Sequence, residues 1–163
     1  MNQREFFIKR WTGEFPAFVR VMKALPKEQL GYRPHPRSRS AEELVWLLVL
    51  EERTCSELID TGQIDWKEPP PPAPADLGDM VAAFEHAHAE LDTRLARVDD
   101  LDWERKAAYL VNGQPVMKDT MGEFFWMHLL DGIHHRGQLS VYIRPMGGKV
   151  PSIYGPSADD TGQ

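Results

Sequence analysis

The chain has 163 residues, of which 42% are hydrophobic and 27% charged, and its 19 basic and 25 acidic side chains give a net charge of −6. That length suits one domain, and the composition is that of a folded protein and excludes a disordered one. An acidic field does not attract phosphate backbones or anionic lipid, so neither nucleic acid nor a membrane is an expected partner.

The N-terminal stretch MNQREFFIKRW lacks an apolar run behind its basic residues and reads as the start of a helix, not as a secretory leader. Four segments with helical spacing open on a capping residue followed three positions later by an acid: Asn2/Glu5, Ser40/Glu43, Asp76/Asp79 and Thr120/Glu123. The first helix carries Phe6, Phe7, Trp11, Phe18, Met22 and Leu25 on its apolar side, loses one backbone hydrogen bond at Pro16 and stops near Pro26. Residues 31–39 form a crossing loop. The second helix runs from about Ala41 to Ile59 and ends at Gly62; its run Leu44 to Leu50 is far shorter than the ~20 residues of a membrane span. Its Cys55, the sole cysteine, reads as a reduced core residue, and a cytoplasmic location is expected.

Five prolines between Glu68 and Ala75 exclude helix and predict an extended connection to a third helix over Leu77–Val98. Asn112-Gly113, flanked by Tyr109, Val111 and Val116, is the signature of a type I′ hairpin, and Pro115 restricts that ribbon to an edge. The fourth helix spans Met121 to about Arg144, and the Gly- and Pro-rich tail from about residue 145 is expected to lie extended on the surface. The predicted fold is all-α: one four-helix bundle domain over residues 1–163, with long connections and a short hairpin between the last two helices.

Reactive side chains concentrate in the fourth helix. Phe124, His128, Asp131, His135, Gln138 and Tyr142 follow steps of four and three and share one stripe, where a bundle helix would ordinarily present apolar residues. Asp131 and His135, four apart, can hold one ion jointly or form a surface ion pair. His134 projects about 100° round the helix from its neighbour. Gly132 and Gly137 invite either a close approach or simple tolerance, and Arg136 either an acidic partner or none. In the second helix Glu51 interrupts the apolar seam Leu44, Leu47, Leu48, Cys55, Leu58, so its carboxylate is paired, protonated, metal-bound or at the solvent edge. Glu52 can take the same role, whereas His86 and His88 diverge.

The run Leu130 to Gln138, ending His134-His135-Arg136-Gly137-Gln138 and followed by Tyr142 and Arg144-Pro145-Met146-Gly147, closely resembles the last helix of DinB/YfiT-like proteins. The Ser40-Ala-Glu-Glu-Leu-Val opening of the second helix, the preceding Leu25-Pro26 and Tyr32-Arg33-Pro34 resemble that family's second helix and loop, so the resemblance spans nearly the whole chain. It implies a homodimeric four-helix bundle with a divalent metal held by three histidines, one on the second helix and two on the fourth. His135 matches the last of these. The first fourth-helix ligand falls on Asp131, which still offers oxygen, and the second-helix ligand on Leu47, which binds no ion. Glu51, one turn beyond Leu47 and about 6 Å along the axis, can supply the missing oxygen, with His128 in reserve. Zinc or nickel is the expected metal, ahead of manganese or iron, and Gln138, Tyr142 and Leu47 are the expected pocket residues.

The activity so implied is hydrolysis, or thiol-dependent S-transfer, on a small-molecule substrate. The alternative is a bundle without metal that binds a small ligand or plays a structural part.

Overall fold

The computed structural model describes residues 1–161. In chain order these form α1 (Gln3–Lys23), a 3₁₀ turn (Lys27–Gln29), α2 (Ala41–Thr61), β1 (Gln63–Trp66), α3 (Leu77–Leu95), α4 (Asp100–Glu104), β2 (Lys106–Val111), β3 (Gln114–Thr120) and α5 (Met121–Ile143). The fold is mostly helical with a small sheet. The expectation of four helices and a hairpin counted neither the short α4 nor β1, and the third helix ends at Leu95, three residues before the predicted Val98.

Each long helix starts where the sequence supplies an acceptor for the N–H groups that have no intrahelical partner. Asn2 and Ser40 accept from the amides of Glu5 and Glu43, whose carboxylates reach back to complete capping boxes. Asp76 accepts from Gly78 and Asp79, and Thr120 from Glu123. Gly62 ends α2 at φ 75°, a left-handed conformation that glycine adopts without steric cost.

The sheet has order β1-β2-β3, with β1 parallel to β2 and β2 antiparallel to β3. The predicted hairpin is present: Val111 faces Gln114 across Asn112-Gly113, both with positive φ as a type I′ turn requires. Pro115 lies on β3, an edge strand, as its missing N–H demands. The turn is tied to the segment after β1. Asn112 exchanges two hydrogen bonds of 3.0 Å with the backbone of Glu68, and the Gly113 amide donates to Asp65 at 2.8 Å. These bonds fix the hairpin turn to β1 and to the residues that follow it.

α2 packs against α3 and α5, and α1 against the same two. Their apolar faces make two core clusters, one around Phe18, Met22, Leu44, Leu48, Phe84 and Ile143, the other around Phe7, Trp11, Leu58, Leu91, Trp103 and Phe125. Between the two clusters every long helix contributes a polar or charged residue: Glu14 on α1, Glu51 and Glu52 on α2, His88 on α3, His135 and Arg136 on α5. A charged belt thus crosses the middle of an otherwise apolar interior, and each member needs a partner there.

The tail after residue 144 has no helix or strand; its described residues are mostly exposed or half-buried, and several contacts tie it to the body. Met146 is buried, Arg144 pairs with Asp159 at 2.9 Å, Arg20 donates to the Ser152 carbonyl at 3.1 Å, and Tyr154 reaches the belt. No described helix is long and apolar enough to cross a membrane.

Candidate functional site

α2 and α5 approach closely at Gly132. A Cβ there would stand 3.3 Å from Phe18 Cζ, a tight contact, and 3.4 Å from Glu51 Oε2, so the glycine lies against both side chains. Of the readings open for Gly132, close approach is the one realised; at Gly137 a Cβ would meet nothing within 4 Å. The approach brings three of the predicted residues together. His135 Nε2 stands 3.4 Å from Asp131 Oδ2 and 3.8 Å from Glu51 Oε1, and one ligand atom from each residue lies within 4.8 Å of the other two. The carboxylate of Glu51 is buried, not at the solvent edge, while Asp131 is half-exposed.

The charges at this point are unbalanced. Burial raises the Glu51 pKa well above the ordinary carboxylate value, and the neighbouring Asp131 and Glu52 carboxylates push the same way, opposed only by Arg39. His135 Nδ1 donates to Gln138 Oε1 at 2.9 Å, which turns Nε2 toward the two carboxylates. A buried carboxylate, a second acid and an imidazole nitrogen in contact share a proton or a cation among them.

His128, the reserve ligand, is outside the group. Its Nδ1 donates to the Phe124 carbonyl at 2.8 Å, its Nε2 faces the Thr54 hydroxyl at 3.4 Å, and burial lowers its pKa, so it is a neutral histidine. Glu52 also points elsewhere. Its Oε1 accepts from the Trp11 indole at 3.1 Å and meets His88 Nδ1 at 3.3 Å, and His88 is sandwiched between Trp11 and Phe15 with ring centroids 3.9 Å away on either side. Glu52 Oε2 is buried with no hydrogen-bond partner among the described residues. Arg136 finds its acid within the chain: it donates to Glu14 at 2.5 Å and to the Tyr154 hydroxyl, and lies over the Phe18 ring.

Glu51, Asp131 and His135 line a cavity of about 320 Å³. α2 and α5 form one wall with Leu47, Met127 and His128, and the sheet forms the other with Trp66, Tyr109 and Met117. Leu47 therefore does border the pocket, as apolar wall. Tyr142 does not: it is buried against Tyr32 and donates to the Arg39 carbonyl at 3.2 Å, a core position set by its place one turn beyond Gln138. Gln138 serves the site by orienting His135. In the sequence Tyr109 is legible only as a hairpin flank; half-buried near the acids, its hydroxyl pKa is pushed up to about 12 by burial and then by Glu51 and Asp131, so it stays protonated. Arg39, which also lines the cavity, has no signal in the sequence, since an arginine in a loop has no periodicity.

The model of the DinB family matches residues 1–162. The chain belongs to the DinB family. Solved structures repeat the DinB fold at low identity. A DinB-like protein from Bacillus cereus is 22% identical, with a TM-score of 0.73 over 92% of this chain and 97% of that one. A DinB-like protein from Bacillus subtilis is 20% identical, with a TM-score of 0.67 over 86% and 91%. A mycothiol-dependent maleylpyruvate isomerase is 12% identical, with a TM-score of 0.53 over 89% of this chain and 61% of that one, so this DinB chain spans about three-fifths of the isomerase. No curated protein matches the chain.

Proposed function

We propose that this DinB-family chain is a metal-dependent enzyme that acts on a small molecule by hydrolysis or by thiol transfer, with a divalent ion held by Glu51, Asp131 and His135. The observation that carries this reading is the convergence of three ligand atoms within 4.8 Å on the wall of a 320 Å³ cavity. Their spacing suits an ion: two ligands each about 2.1 Å from a tetrahedral centre stand about 3.4 Å apart, and the observed separations from His135 Nε2 are 3.4 and 3.8 Å. Three protein ligands leave a position open, as in catalytic sites and unlike structural ones. One imidazole and two carboxylates accept zinc or nickel, with manganese or iron as alternatives.

When bound, such an ion lowers the pKa of a water or thiol so that the nucleophile exists near neutral pH. The chain supplies the rest. Gln138 fixes the His135 ring and its tautomer, Tyr109 presents a hydroxyl that remains a donor, and Leu47, Trp66 and Met127 keep the reacting end of a substrate away from water. The fold shared with a mycothiol-dependent isomerase favours the thiol branch. A metal-free binding protein is the competing reading, favoured by the raised pKa of Glu51, which lets it keep a proton beside Asp131.

The test is elemental analysis of tag-free protein equilibrated with zinc, nickel or manganese, alongside His135→Ala. One equivalent per chain in the wild type and none in the variant is the expected result. A wild type that takes up none of the three metals would leave the metal-free reading in its place.

A further inference from the structure

We infer that the cavity receives a small molecule carrying one anionic group on an apolar body, and that Arg39 binds the anion. This names a substrate class for the site and rests on the metal reading above. Arg39 borders both the 320 Å³ cavity and an adjoining one of about 280 Å³ beneath the proline segment, so its side chain stands where the two meet. Its backbone is fixed: its carbonyl accepts from Tyr142, and the next residue, Ser40, caps α2. The guanidinium makes no hydrogen bond or ion pair among the described residues. On the far side, Glu42 and Glu43 open α2, but Glu43 is already bonded to the Ser40 amide and paired with Arg33, and neither acid is within ion-pair distance of Arg39.

The charge of the cavity then decides its ligand. Its acidic and basic lining residues, apart from the two histidines, are Glu51, Asp131 and Arg39. A divalent ion cancels the two carboxylates, which leaves the guanidinium as one uncompensated positive charge. The remaining surface, with Leu47, Trp66, Val116, Met117 and Met127, is apolar. A free, solvated guanidinium beside an apolar wall matches an acid with a hydrocarbon body, because Arg takes a planar carboxylate through two parallel N–H bonds.

The test uses zinc-loaded protein and two acid–amide pairs, phenylacetate with phenylacetamide and 3-phenylpropionate with 3-phenylpropionamide, titrated by calorimetry into wild type, Arg39→Gln and Arg39→Lys, with zinc measured in each sample. A charge-assisted bond is worth about 1.5–3 kcal/mol, so each acid is expected to bind at least about tenfold more tightly than its amide. Arg39→Gln should bring the acid down to the amide at unchanged zinc, and Arg39→Lys should keep part of the preference. Zinc bound with acid and amide equal, with no acid binding, or with a preference that survives Arg39→Gln overturns the inference alone. A wild type without zinc overturns the proposed function instead. The same titrations then decide the inference separately: an Arg39-dependent preference upholds it, and its absence removes it.

Discussion

A carboxylate with 8% of its side chain exposed and a second acid beside it is costly to ionise unless a cation joins them, and Glu51 is in that position. In metal-free protein its raised pKa means that the folded chain holds a proton which the unfolded chain releases above about the ordinary value of 4.5. The stability linked to this group is therefore full below that pH and is lost as pH rises toward the folded pKa. Glu51→Gln removes the titration. In EDTA at pH 8 the variant should melt above wild type, and the gain should vanish near pH 4.5. Added zinc should reverse the order, since the amide is the poorer ligand. Calorimetric melting at the two pH values, with and without zinc, checks this; a variant less stable than wild type at pH 8 without metal would mean that Glu51 is ionised there at no cost. Gln138 acts one bond further out. Gln138→Leu should retain one metal per chain but weaken its affinity about 10–100-fold, as loss of an orienting partner does, measured by competition with a chelator.

At the scale of the element, α5 tests the close approach on which the site depends. Gly132 and Gly137 both lie inside the helix, where glycine costs up to about 1 kcal/mol relative to alanine. At Gly137 a methyl group meets open space, so Gly137→Ala should raise the melting temperature by about 2–4 °C and leave metal affinity alone. At Gly132 it would press on Phe18 and touch Glu51 Oε2, so Gly132→Ala should gain less stability and bind metal more weakly. Equal gains in the two variants, with metal affinity unchanged, would mean that α2 and α5 have slack at this point. The same elements show what the sequence made legible. Helix starts were readable because a cap and its partner lie three residues apart, and the hairpin because Asn112-Gly113 specifies its own turn. β1 was not, because QIDW has no pattern of its own and becomes a strand by pairing with residues more than forty positions later. Glu51 stood out as a break in an apolar seam, and Asp131 and His135 as an i,i+4 pair. Trp66, Tyr109 and Arg39 reach the cavity only through that long-range pairing and the loop crossing, which no local spacing encodes.

Across the whole molecule the charged belt divides the core, and the chain meets its cost with partners drawn from distant segments. Arg136 shows this most clearly: 2% exposed, it depends on Glu14 from α1 and on Tyr154 from the tail, so the tail belongs to the interior's charge balance. Removing one member of a buried pair costs about 3–5 kcal/mol because the other charge is left unmatched. Glu14 keeps 15% of its side-chain exposure, and water can reach part of the gap, which lowers the expectation for Glu14→Gln to about 2–3 kcal/mol. That corresponds to a drop in melting temperature of about 5–10 °C. Tyr154→Phe keeps the ring over the guanidinium and loses only the hydroxyl, for about 1 kcal/mol. The exposed Lys23–Glu85 pair is the control, and Glu85→Gln should change the melting temperature by less than about 2 °C. Repeating the melts in 0.5 M salt separates buried from surface electrostatics, because the Debye length then shortens to a few ångströms. Most of the loss in Glu14→Gln should persist at high salt, since the Arg136 side chain is only 2% exposed. A loss that salt abolishes would place Arg136 in contact with solvent and remove the tail's part in holding the interior together.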